Sequence, residues 1–164
     1  MAAAEATVHA SAVLVGARAV LIRGPSGVGK SLLALELIQA ARAGHVPFAR
    51  LVGDDRVHLQ AADGRLLVRP AAALAGLIEV RGTGIMRMDH EPCAVVGLVV
   101  DLGAQAERLP AADERLTEID GVRLPRLAVA PGETALPMLL ALLTSTLGEF
   151  GLSGPALFRM ELQF

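Results

Sequence analysis

The chain of 164 residues has the usual size of a single domain, and its formal net charge of −2 gives no support for nucleic-acid binding. Its apolar runs fall short of the roughly 18 residues that a membrane-spanning helix needs, and its first residues lack the basic segment of a signal peptide. We therefore expect one domain over residues 1–164, located in the cytoplasm, that binds neither nucleic acid nor membrane.

Strands and helices are predicted along the whole chain, without an internal repeat or a linker. In chain order, the sequence predicts strands at 13–15 and 19–23, a helix from 30 to about 43, strands at 51–52, 57–59, 66–68, 77–80 and 93–100, and a helix from 134 to about 147. Hairpin turns are indicated at 63–64 and 120–121, where the sequence reads Asp-Gly. We expect one helical turn at 71–74, a glycine-rich loop after 80, a loop at 129–132 and a short helix or tail at 152–164.

The strand at 19–23 leads into an octapeptide that fits the phosphate-binding loop pattern, Gly, four residues, then Gly-Lys-Ser, at every defining position. Its glycines let backbone N–H groups approach phosphate oxygens, while Lys30 reaches the β- and γ-phosphates and Ser31 can hold Mg²⁺. The helix that follows places the anion at a helix N-terminus. The sequence thus predicts a nucleotide-phosphate site made of Gly24, Pro25, Ser26, Gly27, Val28, Gly29, Lys30 and Ser31.

Cys93 and Asp101 lie at the two ends of the apolar strand 93–100 and are considered as site residues. Cys93 is the single cysteine and cannot form an internal disulfide, so beside the apolar run that follows we expect a buried structural thiol. Asp101 directly follows the strand, which is the position of the second metal-site acid in ordinary phosphate-loop enzymes. A solvated strand end is an equally good interpretation of Asp101.

Acidic residues elsewhere are further candidates. Asp54 and Asp55 are adjacent carboxylates, which repel each other unless a metal, a cation or a proton relieves them. In a functional interpretation, one accepts the proton of an attacking hydroxyl while the other tunes its pKa or approaches Mg²⁺; the alternative is a turn with solvated side chains. Strand alternation also puts Glu79 and Arg81 on one face, either as a metal carboxylate beside a phosphate-binding cation or as a surface salt bridge.

Together these motifs resemble one family, the HPr kinase/phosphorylases, which modify a serine of the phosphocarrier protein HPr of the phosphotransferase system. The family's order is His9, the octapeptide 24–31, Leu-Val-Gly-Asp-Asp at 51–55 and Ile-Glu-Val-Arg-Gly-Thr-Gly-Ile at 78–85. The resemblance covers about residues 9–90, and Glu-Val-Arg-Gly is its most specific element. Beyond it, Arg108 is similar to the family's catalytic arginine and 128–133 to a late proline-glycine loop. The chain resembles only the catalytic half of longer members.

The resemblance implies a P-loop-containing α/β fold similar to phosphoenolpyruvate carboxykinase cores, with a mixed sheet and flanking helices. It implies ATP at the octapeptide, Mg²⁺ at Ser31 and Glu79, and Asp55 as the general base that takes the serine proton. The other catalytic residues that it implies are His9, Lys30 and Arg108. The implied partners are HPr and further copies of the chain, since the family forms hexamers.

In the family the same site also runs in reverse, with inorganic phosphate attacking phosphoserine and pyrophosphate leaving. The late loop of better-studied members carries two arginines, whereas this chain has Ala130 and Glu133 at those positions. Because the reverse reaction gathers much negative charge in one site, each lost charge-assisted hydrogen bond should weaken it by about 1–3 kcal/mol. We therefore expect kinase activity to outweigh phosphorylase activity.

Two other functions are compatible with the motifs. A nucleotide-binding regulatory module of the phosphotransferase system would sense ATP and signal through a partner without phosphoryl transfer. A small-molecule kinase would use the same phosphate loop, but the sequence shows no obvious pocket for its acceptor.

Overall fold

The computed structural model describes residues 5–144, which form ten strands and two α-helices. The strands are β1 (Ser11–Val15), β2 (Arg18–Arg23), β3 (Ala49–Gly53), β4 (Val57–Ala62), β5 (Arg65–Pro70), β6 (Leu77–Val80), β7 (Gly84–Arg87), β8 (Ala94–Leu102), β9 (Leu116–Ile119) and β10 (Val122–Val129). The helices are α1 (Lys30–Arg42) and α2 (Ala135–Thr144), and single 3₁₀ turns lie at Ala72–Leu74 and Asp113–Arg115.

Eight of these strands form one mixed sheet, in the order β3-β1-β2-β8-β10-β9, with the hairpin β4–β5 joined to it through β8. β8 is the central strand, parallel to β2 and β10 and antiparallel to β5. Because β2, β8 and β10 are parallel, the loops that begin at Gly24, Gly103 and Ala130 leave the sheet at the same edge. Mixed α/β folds commonly bind ligands outside these carboxyl ends.

Both helices cover one face of the sheet. Leucines spaced along α1 and α2 pack against every second residue of β1, β2 and β8, which is why each strand contributes alternate side chains to this core. The core on this face includes Val13, Val15, Val20, Ile22, Leu33, Leu37, Leu98, Val100, Leu139 and Leu143.

The opposite face is covered by strands instead of helices. The hairpin β4–β5 and the start of β10 fold over it and enclose a second apolar cluster, which includes Ala12, Ala19, Leu21, Val57, Leu66, Val68, Val96, Val99 and Leu124. Strands β2 and β8 are therefore buried on both faces, which explains why they read as continuous apolar runs in the sequence.

Most of the predicted elements are confirmed, including both hairpins, the helical turn near residue 72 and the helix after the phosphate loop. The stretch after Val80 is not loop throughout, because Gly84–Arg87 forms β7 and pairs with β6. The prediction of a buried Cys93 is wrong: the residue precedes the first residue of β8 and is exposed. The end of the last predicted helix and the segment 152–164 lie outside the described residues.

Between residues 5 and 144, neither helix has the length and apolar character required to cross a bilayer.

Candidate active site

The phosphate loop joins the carboxyl end of β2 to the first turn of α1, as its pattern predicts. Gly29 sits at the N-cap of α1 with a φ of 106°, and no side chain caps this helix end. Gly24 adopts a φ of 150°, and a Cβ atom there would lie 2.6 Å from the carbonyl oxygen of Leu102. Only glycine fits that position, and the uncapped helix end presents backbone N–H groups suited to an anion.

Lys30 is folded back onto the loop that it follows. Its ammonium donates hydrogen bonds to the carbonyl oxygens of Gly24 (2.8 Å) and Pro25 (2.9 Å), and the residue is 6% exposed. Burial lowers the pKa of Lys30, and the charges of Asp54 and Asp55 oppose that shift. A cation held in this way can exchange two neutral carbonyl acceptors for charged phosphate oxygens, which bind it more strongly.

Asp54 lies beside the phosphate loop although it is distant in the sequence. Its carboxylate accepts hydrogen bonds from the hydroxyl of Ser31 at both oxygens (2.8 and 2.9 Å), from the hydroxyl of Ser11 (2.6 Å) and from the backbone N–H of Glu79 (3.1 Å). Asp54 has only 3% of its surface exposed, and among the residues that the structure describes it is one of three buried polar or charged residues. The alternative of a solvated turn is therefore wrong for Asp54.

Asp55 makes none of the hydrogen bonds of Asp54 and is 60% exposed at its side chain. One of its oxygens, Oδ1, lies 3.0 Å from Nε2 of His9, so this contact helps to join the segment before β1 to the acidic turn, residues 54–55. The backbone of Asp55 has a φ of 64°, in the left-handed region that non-glycine residues seldom adopt. The adjacent carboxylates thus have separate partners, one buried beside Ser31 and one open to an incoming group.

The residues around Ser31 have the chemistry of a magnesium site. Mg²⁺ prefers oxygen ligands and is usually held by one or two protein oxygens together with substrate phosphates and water. The Ser31 hydroxyl and the Asp54 carboxylate lie next to each other at this site. The backbone N–H of Glu79 donates a hydrogen bond to Asp54, and the side chain of Glu79 is exposed. Within the described range, no three His, Cys, Asp or Glu side chains converge into a ready-made metal site.

Asp101 differs from both interpretations considered for it. It accepts hydrogen bonds from Arg23 (2.7 and 2.9 Å) and from Arg126 (2.6 Å), and only 14% of its side chain is exposed. Burial raises the pKa of Asp101, but the hydrogen bonds and charges of the two arginines outweigh burial and hold the pKa below its usual range. The acid that contacts Ser31 is Asp54, and Asp101 instead links β2, β8 and β10 on the face opposite α1.

Arg81 and Arg108 are both exposed, and in the described part of the chain neither forms an ion pair with another candidate site residue. β6 ends at Val80, so Arg81 follows the strand in an exposed turn, and no ion pair joins it to Glu79 in the described part of the chain. Arg108 is exposed in the loop after β8 and lines a cavity of about 280 Å³ between that loop, β10 and α2. It makes no hydrogen bond or ion pair with another described residue. The loop itself begins beside the phosphate loop, since a Cβ on Gly103 would lie 3.0 Å from Val28.

The structure thus brings together His9, Lys30, Ser31, Asp55 and the backbone of Glu79 in one region. It places Arg108 in the separate cavity beside α2. The sequence alone left the function of Asp54 open and did not identify Ser11 as a site residue. A signal for Ser11 exists: it is a hydroxyl residue in an otherwise apolar strand, and a buried hydroxyl needs a partner.

Comparison with known proteins places these observations in a family. The family model described as the HPr Serine kinase C-terminal domain matches residues 1–91, more than half of the chain. The HPr kinase/phosphorylase of Streptococcus thermophilus is 36% identical over 140 residues, which cover 77% of this chain and 43% of that protein. The HPr kinase/phosphorylase of Clostridium beijerinckii is 44% identical over 84 residues, covering 51% of this chain and 26% of that protein.

A solved structure agrees with this assignment. The Hpr(Ser) kinase/phosphatase from Coxiella burnetii superposes with a TM-score of 0.65 at 26% identity, covering 84% of this chain and 87% of that chain. This chain spans less than half the length of the streptococcal and clostridial proteins that it matches. The phosphate loop, the acidic turn and the family model together show that the chain belongs to the HPr serine kinase C-terminal domain family.

Proposed function

We propose that the chain is an ATP- and Mg²⁺-dependent serine kinase whose substrate is the phosphocarrier protein HPr. One observation carries the proposal: the carboxylate of Asp54 is bonded to the phosphate-loop serine Ser31 while its neighbour Asp55 faces outward, paired with His9. A buried acid at the metal-binding serine and an accessible acid beside it are the two carboxylates that phosphoryl transfer to a hydroxyl requires. The names of the matched relatives support HPr as the acceptor.

In the proposed reaction, Asp55 orients the hydroxyl of the HPr serine and takes its proton as the oxygen attacks the γ-phosphorus of ATP. The bond between the γ-phosphorus and the β,γ-bridging oxygen breaks, and ADP leaves. An alcohol is a poor nucleophile at neutral pH, so a positioned carboxylate contributes both alignment and proton transfer. His9 holds Asp55 in place through its contact at Oδ1.

Several groups stabilise the negative charge of the ATP phosphates in this proposal. The phosphate loop, residues 24–31, binds the ATP phosphates through its backbone, and Lys30 gives up its carbonyl partners for them. Ser31 and Glu79 would hold Mg²⁺, which would supply positive charge beside the phosphate oxygens. Arg108 adds a further cation from the loop after β8.

The forward direction dominates in this proposal. Glu133 and Ala130 lie in the turn after β10, at the sheet edge from which the phosphate loop also departs, and Glu133 brings a negative charge there. A site that must hold phosphoserine and inorganic phosphate together is weakened by that charge and by the two missing arginines. Dephosphorylation of phosphoseryl-HPr by phosphorolysis is therefore the slower activity.

We also propose that the chain is a homo-oligomer in the cytoplasm, a hexamer by its family resemblance. Between residues 5 and 144, six large apolar side chains are at least 38% exposed, which supports contact with further copies: Val8, Leu32, Phe48, Ile85, Met86 and Leu109. Light scattering coupled to size-exclusion chromatography tests this proposal, and a monomer at micromolar concentration contradicts it.

The acceptor is tested by incubating the protein with γ-labelled ATP, Mg²⁺ and purified HPr from the same organism. The expected result is label on a serine of HPr, with none when HPr is omitted or when its acceptor serine is replaced by alanine. ATP binding without any label in HPr would contradict the proposal and favour an ATP sensor or a different acceptor.

A further inference from the structure

The segment just before and into β1 runs alongside the acidic turn and contacts it at three points. Val8 and Val57 exchange backbone hydrogen bonds of 2.8 and 3.1 Å, His9 pairs with Asp55, and Ser11 donates to Asp54. A register shift between β1 and β3 follows at Ala12 and Val13. Such irregularities re-aim side chains near functional sites. One short segment therefore holds both carboxylates of the turn.

Ser11 is placed where a hydroxyl has few possible partners. It is fully buried, and the residues that share its face of β1, Val13 and Val15, belong to the apolar core beneath α1. Its Oγ lies 2.6 Å from Oδ1 of Asp54, a short bond of the kind that a hydroxyl makes to an ionised carboxylate. Because an unpaired hydroxyl is unfavourable in such surroundings, the serine is committed to Asp54.

The contacts of Asp54 show what this bond does. The single proton of the Ser31 hydroxyl is shared between both carboxylate oxygens, an arrangement that leaves the carboxylate free to rotate about its own axis. Ser11 holds Oδ1, and the backbone N–H of Glu79 holds Oδ2. The hydrogen bonds from Ser11 and Glu79 therefore set the plane of the Asp54 carboxylate. This plane in turn sets the direction in which the Ser31 hydroxyl donates its hydrogen bond.

We propose that Ser11 is a positioning residue for metal binding, acting through Asp54. With Asp54 held by Ser11, the Ser31 hydroxyl donates its proton to the carboxylate and keeps its oxygen lone pairs turned toward the phosphate side of the loop. A lone pair aimed in advance spares the metal the reorganisation of two side chains. The inference rests on the proposed Mg²⁺-dependent function of this site.

Ser11→Ala removes the hydroxyl with almost no change in shape and leaves Asp54 its bonds to Ser31 and Glu79. Mn²⁺ is a suitable probe, because its binding to the protein with a non-hydrolysable ATP analogue is measured directly by electron paramagnetic resonance. We expect the dissociation constant of Mn²⁺ to rise about tenfold, as for loss of one charge-assisted hydrogen bond, and the Mg²⁺ concentration at half-maximal kinase rate to rise in parallel. Unchanged Mn²⁺ affinity in Ser11→Ala would overturn the proposal.

Val13→Ala is the matched control, because Val13 lies on the same strand and face as Ser11 and only packs in the core. It should lower the melting temperature and leave the Mn²⁺ affinity unchanged. An equal loss of Mn²⁺ affinity in Val13→Ala would reduce the role of Ser11 to general packing and overturn the proposal.

The pathway through Asp54 is tested by a double-mutant cycle. Asp54→Asn weakens Mn²⁺ binding on its own, and adding Ser11→Ala to it should have no further effect, because the partner of the hydroxyl has already been changed. Fully additive effects would contradict action through Asp54. Failure of the wild type to label HPr, with Mn²⁺ binding still weakened in Ser11→Ala, would contradict the substrate and leave the role of Ser11 supported.

Discussion

Nε2 of His9 lies 3.0 Å from Oδ1 of Asp55, and this contact holds an aspartate whose backbone has a φ of 64°. A left-handed conformation in a non-glycine residue is uncommon. The carboxylate of Asp55 also has a different partner from that of its neighbour Asp54, which is bonded to Ser31. His9 is more than 40 residues away in the sequence, so the contact depends on β1 and β3 being paired in the sheet. We therefore propose that His9 fixes the direction of the Asp55 side chain.

Replacing His9 by Asn should lower kcat about 10- to 100-fold, because Asp55 stays present but is no longer held in the productive direction. The KM for ATP should change little, since among the described residues the His9 side chain makes no hydrogen bond or ion pair with the phosphate loop. Steady-state kinetics with HPr as acceptor measure both constants. His45→Asn is the control, because His45 is an exposed histidine in the turn after α1. A wild-type kcat in His9→Asn would contradict this role.

Gly24→Ala should destabilise the protein by about 3 kcal/mol and remove nucleotide binding. The added Cβ would lie 2.6 Å from a backbone oxygen of Leu102, so the phosphate loop or the end of β8 must move. Gly64→Ala is the matched control, because Gly64 also has a positive φ but has open space around it, and it should cost only about 1 kcal/mol. Denaturant unfolding and ATP binding check both variants. Similar losses in the two would show that contact with Leu102 is unimportant.

Asp101→Asn should lower the free energy of unfolding by about 1–2 kcal/mol at neutral pH. It leaves Arg23 and Arg126 without their carboxylate, but both arginines are partly exposed, which keeps the loss below that of a fully buried pair. Because the pKa of Asp101 is lower in the folded protein than its ordinary value of 3.8, its stabilisation is complete above that value and is lost as the pH falls through the folded pKa.

The difference in the free energy of unfolding between wild type and Asp101→Asn should therefore be constant from about pH 5 to about pH 7 and should shrink below about pH 4. Thermal melts across this range measure it. A difference that grows as the pH falls would contradict the account of Asp101.

Restoring the positive charges of the late loop should speed the reverse reaction. The double variant Ala130→Arg with Glu133→Arg should raise the rate of phosphate-dependent dephosphorylation of phosphoseryl-HPr by about tenfold or more, since each new charge-assisted bond to phosphate is favourable. The matched control is the double variant Ala130→Gln with Glu133→Gln, which adds polar side chains without positive charge. A rapid reverse reaction in the wild type would already contradict the expectation that the forward reaction dominates.

Local patterns predicted the parts of this protein that local sequence controls. The phosphate loop, the helix after it and the two Asp-Gly hairpins depend on neighbouring residues, and they appear where the sequence places them. Asp54 is hydrogen-bonded to Ser11 and Ser31, which are 43 and 23 residues away in the sequence. Asp101 is hydrogen-bonded to Arg23, which is 78 residues away. Such contacts follow from the order of strands in the sheet, in which β8 lies between β2 and β10, and no local pattern gives that order.

The exposure of Cys93 shows a different limit. Its apolar neighbours belong to β8, but a strand boundary one residue away decides whether a side chain is buried, and boundaries are weakly encoded. Likewise β7 begins at a glycine with positive φ, and a glycine-rich stretch gives no strand signal although pairing with β6 makes it one.

The most direct test of the account is the effect of Asp55→Asn on phosphoryl transfer and on ATP binding, measured on the same preparation. Asp55 is exposed and lies outside the phosphate loop, so the amide should preserve folding and keep the affinity for ATP within about threefold. Loss of the proton acceptor should lower transfer to HPr by at least about 100-fold. A variant that transfers phosphate at the wild-type rate would contradict the assignment of Asp55 as the general base.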